Sequence, residues 1–286
     1  MHIEAHAFRI RTGGVLAAAV LALGALGCAQ HGHTHGSAAV PDTAKAAQPA
    51  ENPAESAPPP PVVEQAALDR LKAMSDKLAT AKAFSYHSRS TVEIPGKTGQ
   101  FLTHFIESEV ALERPNKLAA KVAGDQPKFE FYYDGANVSA LDPQKNLYAT
   151  IAAPGTIDEM LPFVVEKTGI DFPSEDLMHS DPYAEMTKNM THAIVVGPAK
   201  VNGVATEHLA FMGPAANWEI WIDAGESALP RRVAVTYKTL ENFPRFQVEF
   251  LEWNLKPKLN PGQFVFKKPA GAKPIEFGAK AGQLAR

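Results

Sequence analysis

Residues 62–94 read VVEQAALDRLKAMSDKLATAKAFSYHSRSTVEI, and the spacing of the apolar positions changes inside that stretch. As far as position 83 the apolar residues recur at steps of three and four: Val63, Ala67, Leu71, Met74, Leu78 and Ala81. That stripe is one face of an α-helix, and Glu64, Asp69, Arg70, Lys72, Asp76 and Lys77 take the other face. From Phe84 onward the period is two, the alternation of a β-strand. A single amphipathic helix followed by strands has to lay its stripe on the face of a sheet.

Working outward, strands are expected over 84–94, 101–113, 117–123, 128–134, 137–141 and 145–151. A second run is expected over 192–197, 204–212, 217–223, 230–238, 246–255 and 263–266. Turn residues separate them: Pro95-Gly96, Arg114-Pro115-Asn116, Asp134-Gly135, Asp142-Pro143, Asn202-Gly203 and Asp223-Ala224-Gly225. Connections this short imply antiparallel neighbours. The stretch 152–191 interrupts the alternation. A helix begins there at Thr156, with Asp158 and Glu159 suiting the dipole of its first turn. It reaches about Lys167 and is stopped by Gly169, with Pro162 bending or dividing it. A second short helix is expected over 174–180 or 182–189. The fold class is therefore α+β: a single strongly curved antiparallel sheet, an open half-barrel of about 11 strands, with helices packed on its concave face.

Upstream, 1–28 carries Arg9 and Arg11, then an apolar run over 15–26, then Gly27-Cys28. Twelve apolar residues fall short of the roughly 20 that span a bilayer as a helix, and the pattern is that of a secretory signal peptide. Ala25-Leu26-Gly27-Cys28 resembles a bacterial lipobox, although that pattern prefers Leu where Ala25 stands and a small residue where Leu26 stands. The resemblance makes Cys28, the only cysteine, a lipid anchor. Ala29 in place of Asp then implies the outer membrane over the inner. His31, His33 and His35 follow, an imidazole cluster that reads first as a polar spacer and second as a weak metal site. The whole stretch 29–61 is a His/Ala/Pro-rich tether, expected to be disordered for want of core-forming side chains, with four consecutive prolines at 58–61. Residues 278–286 read as a flexible tail.

The 286 residues hold 45% apolar and 21% charged side chains, an ordinary globular balance. Lys+Arg 28 against Asp+Glu 31 leaves a formal charge of −3, which speaks against nucleic acid held by bulk positive charge. One cysteine excludes an intrachain disulfide and a four-cysteine zinc site. The sequence has no G-x-S-x-G, H-E-x-x-H, P-loop or G-x-G-x-x-G motif, and no cofactor is called for. His87, His104, His179, His192 and His208 are scattered one per element. If Ile94 faces Phe101 across the first hairpin, His104 lies opposite Thr91, about 13 Å along the strand from His87. That is too far for shared ligation. Glu107 with Glu109, and Asp158 with Glu159, read as solvated pairs and not as acid/base couples.

Several motifs are familiar as a set. They are Asn217-Trp-Glu-Ile-Trp-Ile-Asp223, Leu229-Pro230-Arg231-Arg232, Val235-Thr236-Tyr237-Lys238, Phe250-Leu251-Glu252-Trp253-Asn254, Phe264-Val265-Phe266 and Pro269-Ala270-Gly271-Ala272. Over 62–277 the chain is similar to a family of bacterial predicted periplasmic proteins of unassigned function. More distantly, the order of elements resembles the lipoprotein-carrier fold. Proteins of that fold are open half-barrels capped by helices, and they bind acyl chains in the apolar hollow.

The apolar supply fits such a hollow. Phe101 and Phe105 share one strand face, as do Phe129, Phe131 and Tyr133, and as do Trp218, Ile220 and Ile222, with Trp221 on the opposite face. Phe246, Val248 and Phe250 alternate before Trp253 and Leu255 break the pattern, which predicts a bulge near Leu251-Glu252. The hollow and its lids are expected to be lined by Leu71, Met74, Leu78, Phe105, Phe131, Met160, Leu161, Phe163, Val164, Trp218, Trp221 and Trp253. The leading expectation is a non-enzymatic envelope lipoprotein, held to the membrane by its lipid and binding a lipid or other apolar ligand. The alternative is a scaffold or sensor that binds another envelope protein by its surface, and a hydrolase ranks third.

Overall fold

The computed structural model describes residues 60–125, 128–168, 172 and 174–277. The segments 1–28 and 278–286, nearly all of the tether, and with them Cys28, His31, His33 and His35, lie outside the described residues.

The first helix, α1 (Gln65–Ala79), is shorter than its stripe. Positions 62–64 are extended instead. The Ala193 N–H donates to the Val62 carbonyl (2.9 Å), and the Glu64 N–H donates to the Ala193 carbonyl (2.8 Å). Six strands follow in order: β1 (Ala83–Pro95), β2 (Phe101–Glu113), β3 (Lys117–Gly124), β4 (Phe129–Tyr133), β5 (Asn137–Asp142) and β6 (Leu147–Ala152). The insertion holds α2 (Ile157–Thr168), a 3-10 turn (Glu175–Met178) and α3 (Pro182–Thr187). Both expected placements of the second helix are thus occupied, by different elements. Pro162 sits inside α2, and Thr156 caps its start, its hydroxyl accepting from the Glu159 N–H (3.3 Å). Five more strands complete the second run: β7 (His192–Val201), β8 (Val204–Met212), β9 (Ala216–Asp223), β10 (Pro230–Tyr237) and β11 (Arg245–Phe250).

The strand expected over 263–266 is absent. Asn260 caps a 3-10 turn (Pro261–Phe264) there, accepting from the Gly262 N–H (2.9 Å), because Pro261 pre-sets the turn and has no N–H for a ladder. A short strand, β12 (Lys273–Pro274), runs parallel to β6 instead.

All twelve strands form one sheet in the order β12-β6-β5-β4-β3-β2-β1-β11-β10-β9-β8-β7. Two antiparallel meanders therefore run outward from a central pairing of β1 with β11, and the sheet ends at β7 and β12 without closing into a barrel. The expected curved α+β layout stands.

One register differs. Ile94 pairs with Leu102 and Pro95 with Phe101, so His104 faces Val92 and Phe105 faces Thr91. The turn takes five residues, closed by the Gly96 N–H donating to the Gln100 carbonyl (2.7 Å), and one residue of slip exchanges the two faces.

The inner face carries the core. Phe84, Leu112, Leu118, Phe131, Tyr133 and Val138 from the first meander join Leu209, Phe211, Ile220, Val248 and Phe250 from the second. Leu71, Met74 and Leu78 of α1 and Met160, Leu161 and Val164 of α2 lie in the same cluster. Each such side chain contributes about 1.5–3 kcal/mol when fully buried.

The outer face differs between the halves. Over β4–β6 the C-terminal segment covers it, with Phe266 against Tyr132 and Tyr148 at ring separations of 5.9 and 5.1 Å. Over the centre, His208, Trp221, Arg232, Glu249, Arg89 and Glu107 stand opposite one another in a single transverse row on six strands. His208 stacks on Trp221 (4.0 Å, 12°), Arg232 Nε donates to Glu249 (3.0 Å), and Arg89 Nε donates to Glu107 (3.1 Å).

Candidate functional site: an apolar cleft under the helical insertion

Strand direction gives the molecule two ends. β1, β8 and β10 finish, and β2, β7, β9 and β11 begin, at one of them, here called the rim. At the opposite end Arg114, from the last turn of the β2–β3 hairpin, ties down the insertion. Its Nη1 donates to the Met178 carbonyl (2.9 Å) and its Nη2 to the His179 carbonyl (2.7 Å). Burial lowers its pKa from the ordinary arginine value, against the pull of Asp158. The guanidinium also sits 5.8 Å from the centre of the Phe84 ring. Asp158 at the start of α2 accepts from the Ser180 N–H (2.9 Å), so the beginning of α2 and the end of the 3-10 turn are joined. Tyr133 donates its hydroxyl to the Pro154 carbonyl (2.5 Å), and burial, aided by Glu159 and Asp134, pushes its pKa up to about 12. Burial likewise pushes the Tyr86 phenol up, and a hydrogen bond with Ser174 only partly offsets this. These hydroxyls stay protonated and act as fixed hydrogen-bonding groups.

The hollow expected beneath α1 and α2 is filled. Leu71, Met74, Leu78, Phe131, Met160, Leu161 and Val164 each have 0% exposure, so they are core, close-packed as interiors are. Phe163 is half-buried at the edge of that cluster. Phe105 is 63% exposed on the outer face, where the one-residue register difference puts it. Trp221 is on the outer face as well, against His208 and Arg232. The bulge exists: Leu251 N–H still donates to His87, but Ser85 pairs with Asn254, one residue out of step with the strand. That extra residue returns Trp253 to the inner face, packed on Phe84, Tyr86 and Phe250 at 4.7–5.6 Å. Its indole donates to the Pro230 carbonyl (2.8 Å).

Open space remains on the other side of the insertion. A cleft of about 130 Å³ lies between the 3-10 turn and α3 on one side and the rim ends of β9 and β10 on the other. Leu177, Met186, Met190, Trp218, Val233 and Val235 make its apolar walls, with Asp176 and Glu185 at its border. Trp218, stacked on Phe211 (3.9 Å, 8°), is the one sequence candidate that reaches it. Leu177, Met186 and Met190 were missed because 174–190 is too short for a periodic signal, and Val233 and Val235 because β10 alternates like any half-buried strand. The spacing of Met186 and Met190, one helical turn, is the trace that was available.

A larger groove of about 420 Å³ crosses the outer face of β1–β4. It is lined by Arg89, Glu107, Lys121 and Glu130, whose signs alternate from strand to strand. Among the described residues no three His, Cys, Asp or Glu side chains are grouped to hold a metal ion, and no helix is long and apolar enough to cross a membrane.

The family described as predicted periplasmic protein (DUF2092) matches residues 67–278. The chain belongs to it. No curated protein matches the sequence. In overall layout the chain is similar to the crystal structure of the lipoprotein LppX of Mycobacterium tuberculosis, with 15% identity and a TM-score of 0.43, over 69% of this chain and 100% of that one. It is similar to LprF of Mycobacterium bovis at 11% identity and a TM-score of 0.38, over 74% and 100%. It is also similar to MucB in the MucA/MucB complex of Pseudomonas aeruginosa at 15% identity and a TM-score of 0.36. There the likeness covers 66% of this chain and 56% of the other.

Proposed function

We propose that this periplasmic family member is a non-enzymatic binder of apolar ligands, held at the outer membrane by a lipid on Cys28 after removal of a signal peptide. Residues 29–61 tether the folded part to that anchor. The observation that carries the binding reading is the cleft walled by Leu177, Met186, Met190, Trp218, Val233 and Val235.

Its size sets what it takes. Filling a void is worth about 24 cal/mol per Å³, so the 130 Å³ cleft contributes at most about 3 kcal/mol. Drug-sized ligands occupy about 300–1,000 Å³, and micromolar affinity corresponds to about 8 kcal/mol. As it stands the cleft holds a group the size of a benzene ring or a short alkyl end. A longer acyl chain gains the difference only by burying more apolar surface, which requires α3 to move away from β9 and β10 or the chain to continue over the rim.

The test is titration with a dansylated fatty acid, read by dansyl emission and by quenching of tryptophan emission. Micromolar binding is expected. Val233→Trp, which fills the cleft, should weaken it at least tenfold while the unfolding midpoint holds. Absence of binding, or binding indifferent to Val233→Trp, overturns the assignment.

A further inference from the structure

The rim carries more exposed apolar side chains than the rest of the molecule. Of the ten large apolar residues exposed among the described ones, six are here. Leu102 (46%) and Phe105 (63%) stand on the β1–β2 hairpin. That hairpin projects beyond its neighbours: β3 ends opposite Ile106, and β11 begins next to Val92. Residues 94–103 therefore form a finger that runs past the last strand residue of either neighbour, with Phe105 at its base, where the Phe105 N–H donates to Asp125 (2.8 Å). Met212 (40%) ends β8, and Val62 (48%) and Val63 (49%) lie beside the start of β7. The sixth is Phe243 (59%), in the loop between β10 and β11.

Phe243 is conspicuous for a second reason. Its φ is +51°, and that of Asn242 is +59°. Positive φ at two successive residues is the pattern that selects Asn-Gly, and a bulky residue in this region is strained. The loop thus holds a phenylalanine in water on a backbone that favours glycine, an arrangement that persists where a side chain has work to do.

The chain itself indicates what faces the rim. Val63 pairs with Ala193 in parallel, so residues 60–62 come in past His192, from the rim. Position 28 lies 32 residues before position 60, a span of at most about 110 Å fully extended. The cleft reaches the same end, where Asn189, Met190, Gly213 and Pro214 line it.

We propose that the rim docks on a lipid bilayer, with Phe243 and the β1–β2 finger entering the headgroup region and the cleft mouth turned toward the membrane. This rests on the anchored-binder reading above. Apart from Val62 and Val63, which lie along the β7 edge, the exposed residues sit on separate tips and not on one flat patch. A deformable apolar phase meets such tips together, whereas a folded partner needs a matching contour. The charges nearby are engaged or of both signs. The Lys238 ammonium donates to Gly213 O (3.1 Å), Arg245 pairs with Glu219 (3.2 Å), and Glu93 accepts from the Arg245 N–H (2.8 Å). Docking through the rim is therefore apolar and insensitive to salt.

The experiment uses the chain from Ala29 to Arg286 without its lipid, which retains the whole described core. It is floated with vesicles of phosphatidylethanolamine and phosphatidylglycerol at low and high salt. The chain should float at both. Phe243→Gly should lower the membrane partition constant about tenfold, the loss expected when one phenylalanine leaves an apolar phase, with an unfolding midpoint unchanged or raised. Leu102→Ser with Phe105→Ser should add to the loss. No flotation, flotation abolished by high salt, or flotation indifferent to Phe243→Gly each overturns the proposal. So does rim-dependent dimerisation in sedimentation without flotation, which would assign the surface to a second copy. The dansyl fatty acid titration without vesicles reads the cleft separately. If it fails while flotation persists, the cleft reading falls and the rim stands.

Discussion

Displacement of α3, one of the two ways to admit a long ligand, has one sharp test. Ser75 of α1 is 1% exposed, and its hydroxyl accepts from the Tyr183 N–H in the first turn of α3 (2.9 Å). α3 is six residues long, too short to be stable alone, so this bond and the packing around it hold the helix over the cleft. Ser75→Ala removes the acceptor and leaves a part-buried N–H without it. A buried hydrogen bond is worth about 1 kcal/mol net, and more where its donor is stranded. The urea unfolding free energy should therefore fall by about 1–1.5 kcal/mol. If the acyl ligand binds a form with α3 displaced, the same change raises the fraction of that form. Apparent affinity scales with that fraction, so about 1–1.4 kcal/mol tightens the dansyl fatty acid by about five- to tenfold. Stability and affinity then move in opposite directions. A variant that loses the expected stability while its affinity is unchanged or weaker refutes the displacement of α3.

Two further outcomes are expected. The His179 imidazole is held below its ordinary value chiefly by burial, with Arg114 and Lys188 adding to the effect and Glu185 and Asp158 opposing it. The unfolded chain takes up the proton near pH 6.5, while the folded chain resists, so stability is full above that pH and declines as the pH drops below it. In His179→Gln the urea midpoint should fall less steeply from pH 7 to pH 5, and an unaltered slope would place the acid sensitivity elsewhere. Cys28→Ser should abolish incorporation of labelled palmitate into the protein, and a mutant that still takes up the label would show that the lipid is not on Cys28.

The sheet was legible in the sequence because alternation is a strong signal wherever one face is buried. Eleven strands fall within a few residues of the stretches that alternate, and α1 and α2 follow from their stripes. What alternation leaves open is which of two faces turns inward. Phe105 and Trp221 are large and apolar and sit in alternating runs, yet both point outward. For Phe105 the answer depended on whether the first turn takes five residues or six. At 263–266 the Phe-Val-Phe run looks like a strand, but Pro261 and Gly262 impose a turn, and Phe264 is buried by a coil segment lying flat on the outer face. The cleft was the least visible feature. A void is a property of how neighbouring elements fail to meet, and the Met186–Met190 spacing, the one trace in 174–190, does not encode that failure.

The central pairing of β1 with β11 also governs how the molecule is assembled. Ser88 meets Phe250 across the middle of the sheet, so the seam joining the two halves closes a loop of more than half the chain. Each meander can zip up from its own hairpins, whereas the seam waits for the last strand, and distant pairings of this kind slow folding. A ribosome or translocon delivers β1 early and β11 late. In the interval β1 presents thirteen residues of ladder with one side vacant, the most adhesive surface the nascent chain possesses. Loss of the segment from Arg245 onward, by early termination or proteolysis, would make that interval permanent and leave two half-sheets prone to join other chains in place of each other.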